Sequence, residues 1–190
     1  MRIIAGIYKS RRINPPKGVE LRPTADRVKE SLFGILTTFI IDKKVLDLFS
    51  GTGNLGIEAL SRGAGSCVFV DNNPRCIAAI KENLRSLGIQ EQTAVAFRDG
   101  FRFIKEAHES GRSFDLILLD PPYYKDMIKK SLILMDNYNI ITSSGIIIAE
   151  HHKADELPGP DKLKNLRQCR QERYGGSFLS FYKPKFCLPR

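Results

Sequence analysis

Apolar runs of strand length alternate with segments of helical periodicity from residue 45 onward. The runs are apolar throughout rather than at every second position, which is typical of parallel strands covered by helices on both faces. They read VLDLF, CVFV, AVAFR, LILL and IIIAE, at residues 45–49, 67–70, 94–98, 116–119 and 146–150. Strands that alternate with helices predict an α/β fold with a doubly wound, mostly parallel sheet.

The segment NPRCIAAIKENLRSLG predicts one helix in full detail. Asn73 is a suitable N-cap, Pro74 fits the first helical position, and Gly88 is a typical stop. Between them, one face of the helix is apolar through Ile77, Ile80, Leu84 and Leu87.

The two ends of the chain depart from this alternation. The start, MRIIAGIYKSRRINPP, contains two strand-like runs around Ala5 and Gly6, and an amphipathic helix follows in PTADRVKESLFGILTTF. At the other end, LRQCRQERY and SFLSFYK flank Gly175 and Gly176, which predicts an antiparallel hairpin at the edge of a seven-stranded sheet. We therefore expect residues 1–42 to form a basic strand or hairpin and helix extension, and residues 43–190 to form the α/β domain.

Composition indicates where in the cell the protein acts and whether its cysteines could bind zinc. The 190 residues, 42% of them hydrophobic, suffice for one globular domain. No apolar run approaches the ~20 residues that span a bilayer, and the N-terminus lacks the apolar region of a signal peptide, so we expect a cytoplasmic protein. The four cysteines are scattered without metal-ligand spacing, which favours reduced thiols over a zinc site.

The formal net charge of +9 is concentrated at the ends of the chain. Residues 1–30 carry eight Lys or Arg against three acids, and residues 161–190 carry eight against two. Basic ends around a near-neutral body are typical of a protein that binds the phosphates of nucleic acid. Dispersed surface charge that keeps the protein in solution is the alternative interpretation.

The stretch DLFSGTGNLG, residues 47–56, fits the pattern G-x-G-x-x-G through Gly51, Gly53 and Gly56. Because a strand precedes this loop and a helix follows it, the loop predicts a site for a cofactor that contains adenosine. Asp71 ends the second strand, where a carboxylate can accept hydrogen bonds from both ribose hydroxyls. This role is shared by dinucleotides and by S-adenosylmethionine, so Asp71 does not separate them.

Asp47 favours S-adenosylmethionine over a dinucleotide. It lies inside the first strand, four residues before Gly51, where an unpaired carboxylate would be costly. A dinucleotide would bring a pyrophosphate close to this negative charge, whereas S-adenosylmethionine brings an ammonium and a sulfonium group. Asp99, after the third strand, is placed where the adenine edge would lie.

The stretch FDLILLDPPYYKD indicates the reaction. Asp120, Pro121, Pro122 and Tyr123 follow the fourth strand at its carboxyl end, where open α/β sheets bind ligands. Prolines have no amide donor, so the Asp120 carboxylate and the Pro121 carbonyl form an acceptor-only turn that suits an exocyclic amino group. Holding both amine hydrogens frees the nitrogen lone pair for attack on a methyl group, while the Tyr123 ring can stack on a planar base. An ordinary turn that caps the next helix remains the alternative.

The sequence resembles the class I S-adenosylmethionine-dependent methyltransferases, and among them the RsmD-type methyltransferases that modify a guanine N2 amine of small-subunit (16S) ribosomal RNA. The resemblance extends over nearly the whole chain, through RIIAG, LRPTADRVKESLFGIL, VLDLFSGTGNLGIEALSRGA, FDLILLDPPY and YGGSFLSFY. Ser50 and Thr52 are small departures from the usual residues of the glycine loop. The block RPTADRVKESLF is the most specific part, since the other motifs occur in many amino-methyltransferases.

The resemblance implies a Rossmann-like methyltransferase domain over residues 43–190 and three sets of site residues. The cofactor-binding set is Asp47, Phe49, Ser50, Gly51, Thr52, Gly53, Asp71, Asn72, Asp99 and Gly100. The catalytic set is Asp120, Pro121, Pro122 and Tyr123. The RNA-contacting candidates are Arg2, Lys9, Arg11, Arg12 and Arg22 in the basic N-terminal extension. We expect no metal, assign no role to His151 or His152, and expect a monomer acting on 16S ribosomal RNA or the assembling small subunit.

Four other functions remain open at this point. One is a purely structural RNA-binding module, which would need neither the acids at successive strand ends nor the acceptor-only turn. An amino-methyltransferase for DNA adenine would use the same DPPY chemistry, although this chain has little length for a target-recognition region. A methyltransferase for protein glutamine is chemically possible but leaves the basic ends without a purpose. A dinucleotide-dependent oxidoreductase explains the glycine loop but neither Asp47 nor DPPY.

Overall fold

The computed structural model describes residues 1–19, 25–122 and 126–185. Its helices are α1 Asp26–Ile35, α2 Asn54–Ser61, α3 Pro74–Leu87, α4 Gly100–Glu109 and α5 Met127–Asn137. Its strands are β1 Lys44–Leu48, β2 Ser66–Asp71, β3 Thr93–Phe97, β4 Phe114–Leu119, β5 Ile141–His152, β6 Leu166–Tyr174 and β7 Ser177–Pro184. Within the described ranges, no helix is long and apolar enough to cross a membrane.

The strands form one seven-stranded sheet in the order β3-β2-β1-β4-β5-β7-β6. Pairing is parallel between β1 and β2, β2 and β3, and β4 and β5, whereas β7 runs antiparallel to both β5 and β6. The predicted doubly wound sheet with a C-terminal antiparallel hairpin is therefore confirmed. By its contacts the chain divides into two compact units, Met1–Asp99 and Gly100–Arg190.

Helix α3 of the first unit has the ends that its sequence predicts. The Asn73 side chain accepts a hydrogen bond from the Arg75 amide at 2.9 Å, and Pro74 opens the helix. Gly88 ends it at φ 72°, a left-handed conformation that glycine adopts without strain. The apolar face of α3 is buried as expected, with Ile80 fully enclosed.

The N-terminal segment does not form the two strand-like runs that its sequence predicts. Within residues 1–19 the structure has a single antiparallel bridge, between Arg2 and Arg12. Ile3 and Ile13 are each 1% exposed and belong to the core of the first unit. Ile3 N–H donates to the Arg11 carbonyl and Ile13 N–H to the Met1 carbonyl, each at 3.0 Å, and these two bonds form the bridge. Between them, the amides of Ile4, Ala5 and Tyr8 donate to side chains of α2 instead.

Two acceptor side chains on α2 hold this segment in place. The Glu58 carboxylate accepts hydrogen bonds from the Ile4 amide at 2.8 Å and from the Ala5 amide at 3.1 Å. The Ser61 hydroxyl accepts a hydrogen bond from the Tyr8 amide at 3.1 Å and donates one to the Ala5 carbonyl at 2.6 Å. Two turns of one helix therefore fix the path of the first eight residues.

The segment also passes very close to α2. Gly6 has a φ of 87°, and a Cβ built there would lie 1.8 Å from the Ser61 carbonyl oxygen. Only glycine fits this position, because any side chain would overlap the α2 backbone.

Glu58 belongs to a buried polar cluster that also includes α1. Glu58 is 0% and Lys29 1% exposed, with 3.4 Å between Lys29 Nζ and Glu58 Oε2. The same ammonium donates to the Arg2 carbonyl at 2.7 Å and to Asn54 Oδ1 at 2.8 Å. Arg62 adds a second ion pair to Glu58 at 2.8 Å. Burial lowers the pKa of Lys29, and the neighbouring Glu58 carboxylate opposes that shift.

In the second unit, one carboxylate organises the entry to the C-terminal hairpin. The Asp136 side chain, at the end of α5, accepts hydrogen bonds from the backbone amides of Lys164, Asn165 and Leu166 at 2.7–2.8 Å. Strand β6 begins at the last of these residues. The helix therefore sets where the outermost strand starts.

Candidate functional site

The glycine loop between β1 and α2 requires left-handed backbone at three positions. Gly51 has a φ of 55° and Gly53 a φ of 75°, so both use the freedom that glycine provides. Phe49 has a φ of 65°, which is uncommon for an aromatic residue and stores strain in the loop. Such strain is characteristic of functional turns that the surrounding fold holds in place.

The backbone amides of all three motif glycines are bonded within the first unit. Gly51 N–H donates to Asp71 Oδ2 at 2.9 Å, and Gly53 N–H donates to the Ser50 carbonyl at 2.7 Å. Gly56 N–H donates to Asp47 Oδ2 at 2.9 Å. A dinucleotide site needs amides of this turn for the pyrophosphate. Here these three donors already have protein acceptors, two of them carboxylates.

The third glycine of the motif is required for packing rather than for its backbone angle. A Cβ at Gly56 would lie 2.4 Å from Phe69 Cε1, 2.7 Å from Cys67 Sγ and 2.9 Å from Asp47 Oδ2. Helix α2 therefore passes directly over β1 and β2 at this point. The close approach is what allows the Gly56 amide to reach Asp47, which is 2% exposed.

Asp71 lies at the end of β2 with both carboxylate oxygens oriented by backbone amides. Oδ2 accepts from Gly51 N–H at 2.9 Å, and Oδ1 accepts from Asn73 N–H at 2.8 Å. Each carboxylate oxygen can accept a second hydrogen bond, and the residue is half-exposed. The side chain is thus fixed in position with capacity left for the two hydroxyls of a ribose.

The remaining residues of the predicted cofactor set differ in what their side chains do. The Ser50 hydroxyl is buried, donating to the Asp47 carbonyl at 2.6 Å and accepting from Val70 N–H at 2.8 Å, so it links β1 to β2. Thr52 is buried against the Met1 sulfur. Asn72 and Asp99 are exposed where chain segments leave β2 and β3, and Gly100 begins α4. Direct cofactor contact by these residues stays a prediction.

The acceptor-only turn after β4 lies in the second unit. Asp120 is half-buried, Pro121 is buried, and Pro122 is exposed. A shallow depression opens beside the two prolines and is lined by Pro121, Pro122, Asp126, Met127, Ile128, Asp155 and Glu156. Tyr123, predicted to stack on the target base, lies outside the described residues.

An exposed ion pair borders this depression. Lys129 Nζ lies 2.6 Å from Glu156 Oε2 and connects α5 to the segment after β5. The hydrogen bond raises the pKa of Lys129 and lowers the pKa of Glu156. Both groups therefore stay charged, and Glu156 adds to the negative charge near Pro122.

His151 takes part in the packing of the hairpin. Its ring is 4% exposed, stacks on Phe178 with 5.6 Å between ring centroids, and lies 2.9 Å from the Ser180 hydroxyl. Burial lowers the pKa of His151, so the neutral ring predominates near neutral pH. Among the described residues, no group of three or more His, Cys, Asp or Glu side chains is arranged to hold a metal ion.

The four predicted RNA-contacting cations that the structure describes lie on the outside of the N-terminal segment. Lys9 and Arg12 are exposed. Arg2 pairs with Asp26 at 3.1 Å, and Arg11 donates to the Ser86 carbonyl at 2.9 Å, so both are partly held. Arg22 falls outside the described residues. Contact with RNA stays a prediction for the whole set.

Sequence reasoning missed the residues that hold this basic segment in place, Lys29 and Glu58. On a helix, an isolated Lys or Glu normally indicates a solvated face, and amphipathic periodicity alone would place Lys29 outside. The available signal was the context of Glu58, which lies in the run LGIEAL with apolar neighbours on every side. A charge that is enclosed in such a run must find a buried partner.

A doubly wound sheet with a closing antiparallel hairpin, a strained glycine turn after β1 and an acceptor-only turn after β4 together define the methyltransferase class of α/β proteins. The chain belongs to the family described as Conserved hypothetical protein 95, whose sequence pattern it matches over residues 1–183. The resemblance to the RsmD type predicted from the sequence is confirmed by its relatives.

Several bacterial proteins match this chain over most of their length. The chain is 38% identical over 185 residues to the Bacillus subtilis protein YlbH, named as a candidate rRNA methyltransferase, covering 97% of this chain and 100% of that protein. It is 33% identical over 169 residues to the Ribosomal RNA small subunit methyltransferase D of Haemophilus influenzae, covering 88% and 87%. The structure of yhhF from Escherichia coli, described as a candidate methyltransferase, superimposes with a TM-score of 0.81 at 27% identity over 97% of both chains.

Proposed function

We propose that this protein transfers a methyl group from S-adenosylmethionine to the exocyclic N2 amine of a guanine in small-subunit ribosomal RNA. The observation that carries the choice of cofactor is the internal bonding of the three glycine amides to Asp71, Ser50 and Asp47. A pyrophosphate would have to displace two carboxylates and a backbone carbonyl from these amides, whereas S-adenosylmethionine has no phosphate to place there. The buried negative charge of Asp47 would repel a pyrophosphate and attract a cationic ligand, which also favours S-adenosylmethionine.

The first unit provides the groups that suit the methyl donor. The Asp71 carboxylate, held by two amides, is oriented to accept the two ribose hydroxyls. The exposed Asp99 carboxylate, just before α4, can accept from the adenine amine. The bound donor supplies an electrophilic methyl carbon on a sulfonium, so catalysis needs no metal.

The turn after β4 provides the groups that suit the target amine. The Asp120 carboxylate and the Pro121 carbonyl each accept one hydrogen of the amine, which directs the nitrogen lone pair toward the methyl carbon. Methyl transfer there would form the N–C bond as the C–S bond of the donor breaks, with the electron pair left on the departing thioether and the excess amine proton passing to solvent water. Because a guanine amine is paired or stacked in folded RNA, the base must leave its stack first.

The names of the relatives support ribosomal RNA as the substrate, and the basic N-terminal segment supports contact with its phosphates. Arg2, Lys9, Arg11, Arg12 and Arg22 are the proposed contacts. The substrate in the cell is 16S ribosomal RNA or the assembling small subunit, and the protein acts as a monomer in the cytoplasm.

The test is transfer of radiolabelled methyl to small subunits from cells that lack this protein, followed by digestion to nucleosides. We expect labelled N2-methylguanosine at one position. Cofactor binding without label on RNA would redirect the search to DNA adenine or protein glutamine. The absence of any binding by S-adenosylmethionine would overturn the proposal.

The same assay tests the role of Asp120. Asp120→Ala should lower turnover by about 10²-fold or more, by analogy with the removal of one preoriented polar group in other active sites, while cofactor affinity is unchanged. Asp115→Ala is the matched control, because Asp115 lies near the start of β4, away from the turn, and accepts a hydrogen bond from Thr142 at 3.0 Å. Equal turnover in the two variants would remove Asp120 from the mechanism.

A further inference from the structure

The outer strand of the C-terminal hairpin carries basic side chains with few acids to balance them. Seven Lys or Arg and two acids lie between residues 161 and 185. Arg167, Arg170 and Arg173 on β6 are exposed, as is Lys183 on β7. Strand β6 is the last strand of the sheet, so its three arginines lie along an outer edge, next to Lys183 on β7.

A β-bulge brings three of these cations onto one face. Arg167 and Arg170 are three positions apart, and in a regular strand they would point to opposite faces. The register shift between Gln168 and Arg170 places Arg167 opposite Lys183 and Arg170 opposite Phe181. Since residues 181 and 183 share a face of β7, Arg167, Arg170 and Lys183 lie together, and we call these three the hairpin basic face.

The hairpin basic face is held in shape and stays positive. The Arg170 guanidinium lies over the Phe181 ring, 5.9 Å from its centroid, and Phe181 is buried beneath it. Glu172 pairs with Arg170 at 2.8 Å, which leaves the charges of Arg167 and Lys183 in excess. The pairing and the ring contact restrict the Arg170 side chain, so less conformational entropy is lost when it binds an anion.

Protection of a sheet edge explains only part of this pattern. Charged residues and bulges both discourage edge-to-edge pairing of strands, and a single lysine is often enough. Here a bulge is already present, and its effect on side-chain direction is to gather like charges that repel one another. Gathering like charges has a cost that a polyanionic partner would offset.

We propose that the hairpin basic face binds the phosphodiester backbone of the RNA substrate, as a second contact separate from the N-terminal cations. This inference rests on the proposed function for the identity of the polyanion. The N-terminal cations belong to the first unit and the hairpin basic face to the second, so the two sets share no residue and can be substituted separately.

The test compares RNA binding by three charge variants over a series of salt concentrations. The hairpin variant is Arg167→Gln, Arg170→Gln and Lys183→Gln, and the N-terminal variant is Lys9→Gln and Arg12→Gln. The control is Arg102→Gln, Lys105→Gln and Arg112→Gln, which removes three exposed cations from the same unit around α4, where acids balance them. The probe is deproteinised 16S ribosomal RNA, and melting temperature and S-adenosylhomocysteine binding verify the fold.

We expect the slope of log affinity against log salt to become shallower by about 2 for the hairpin variant, since each phosphate contact to single-stranded RNA contributes about 0.7. The control should keep the slope of the wild type. The KM for RNA should rise in the hairpin variant, with kcat and cofactor affinity unchanged.

Two results would overturn the inference. One is a hairpin variant with the slope of the control, and the other is a loss of affinity for assembled subunits without any loss for deproteinised RNA, which would indicate a protein partner. Neither result would contradict the proposed function. That proposal is contradicted instead if the wild-type protein transfers no radiolabelled methyl group to small subunits.

Discussion

Gly56 shows how a single missing side chain positions a carboxylate. A Cβ there would lie within 3 Å of Phe69, Cys67 and Asp47 at once, so α2 would have to move away from the sheet. The hydrogen bond between the Gly56 amide and Asp47 would lengthen with it. The packing of one residue thus determines whether Asp47 keeps its orientation.

Gly56→Ala should therefore lower both stability and cofactor affinity. We expect a loss of about 1–3 kcal/mol in the free energy of unfolding, as for other overpacked cores, measured by urea denaturation. Affinity for S-adenosylhomocysteine, measured by calorimetry, should fall as well. Gly34→Ala is the control, because a Cβ at Gly34 meets no atom within 4 Å. If Gly56→Ala is destabilised but binds S-adenosylhomocysteine with normal affinity, the packing of α2 does not determine cofactor binding.

Helices α1 and α2 are joined by a buried ion pair that also holds the N-terminal segment. Glu58 accepts from Lys29, Arg62 and the amides of Ile4 and Ala5, so its carboxylate is fully bonded although it is enclosed. Removing its charge would leave the enclosed Lys29 ammonium without an anion. The pair is therefore costly to break, whatever its net contribution to stability.

Glu58→Gln should destabilise the protein by about 3–5 kcal/mol, the usual result when one partner of a buried pair is removed. Glu82→Gln breaks an exposed pair with Arg85, whose side chains are 59% and 69% exposed, and should cost less than about 1 kcal/mol. Urea denaturation of both variants measures the difference. Similar losses in the two would mean that the Lys29–Glu58 pair is not closed in solution.

The elements differ in how far the sequence predicted them. Helix α3 could be predicted to the residue, because Asn73, Pro74 and Gly88 are local signals that act within one turn of the chain. The N-terminal segment could not, because its partners are Glu58 and Ser61, more than fifty residues away, and β-like composition carries no information about a side-chain acceptor on a distant helix.

The candidate site divides in the same way. The glycine loop, Asp71 and the DPP turn could be located from motif spacing alone. Two other features could not be predicted: the Ser50 hydroxyl faces the sheet, and Asp47 bonds to the Gly56 amide. Both depend on how α2 packs on β1 and β2. Such packing depends on several elements together and is not encoded in any one motif.

At the scale of the whole molecule, a ligand that binds only the folded protein must raise its melting temperature. At a free concentration of 100 times its dissociation constant, S-adenosylhomocysteine should add about 2.7 kcal/mol to the free energy of unfolding. For a chain of this size, that corresponds to a rise of roughly 5–11 °C, measurable by calorimetry or circular dichroism. NAD, which would need the glycine amides for its pyrophosphate, should leave the melting temperature unchanged. A shift with NAD and none with S-adenosylhomocysteine would reverse the cofactor assignment.

The anchoring of Ile4 and Ala5 on Glu58 has a consequence for how the protein is made. Translation produces Ile4 and Ala5 well before α2 exists, so this segment has no docking site until the ribosome has added more than fifty further residues. After α2 has been synthesised, the Glu58 carboxylate stays exposed to water until Ile4 and Ala5 dock on it. Docking of this segment can therefore occur only after α2 has been made, and protection of the Ile4 and Ala5 amides from hydrogen exchange would record when the contact with Glu58 forms.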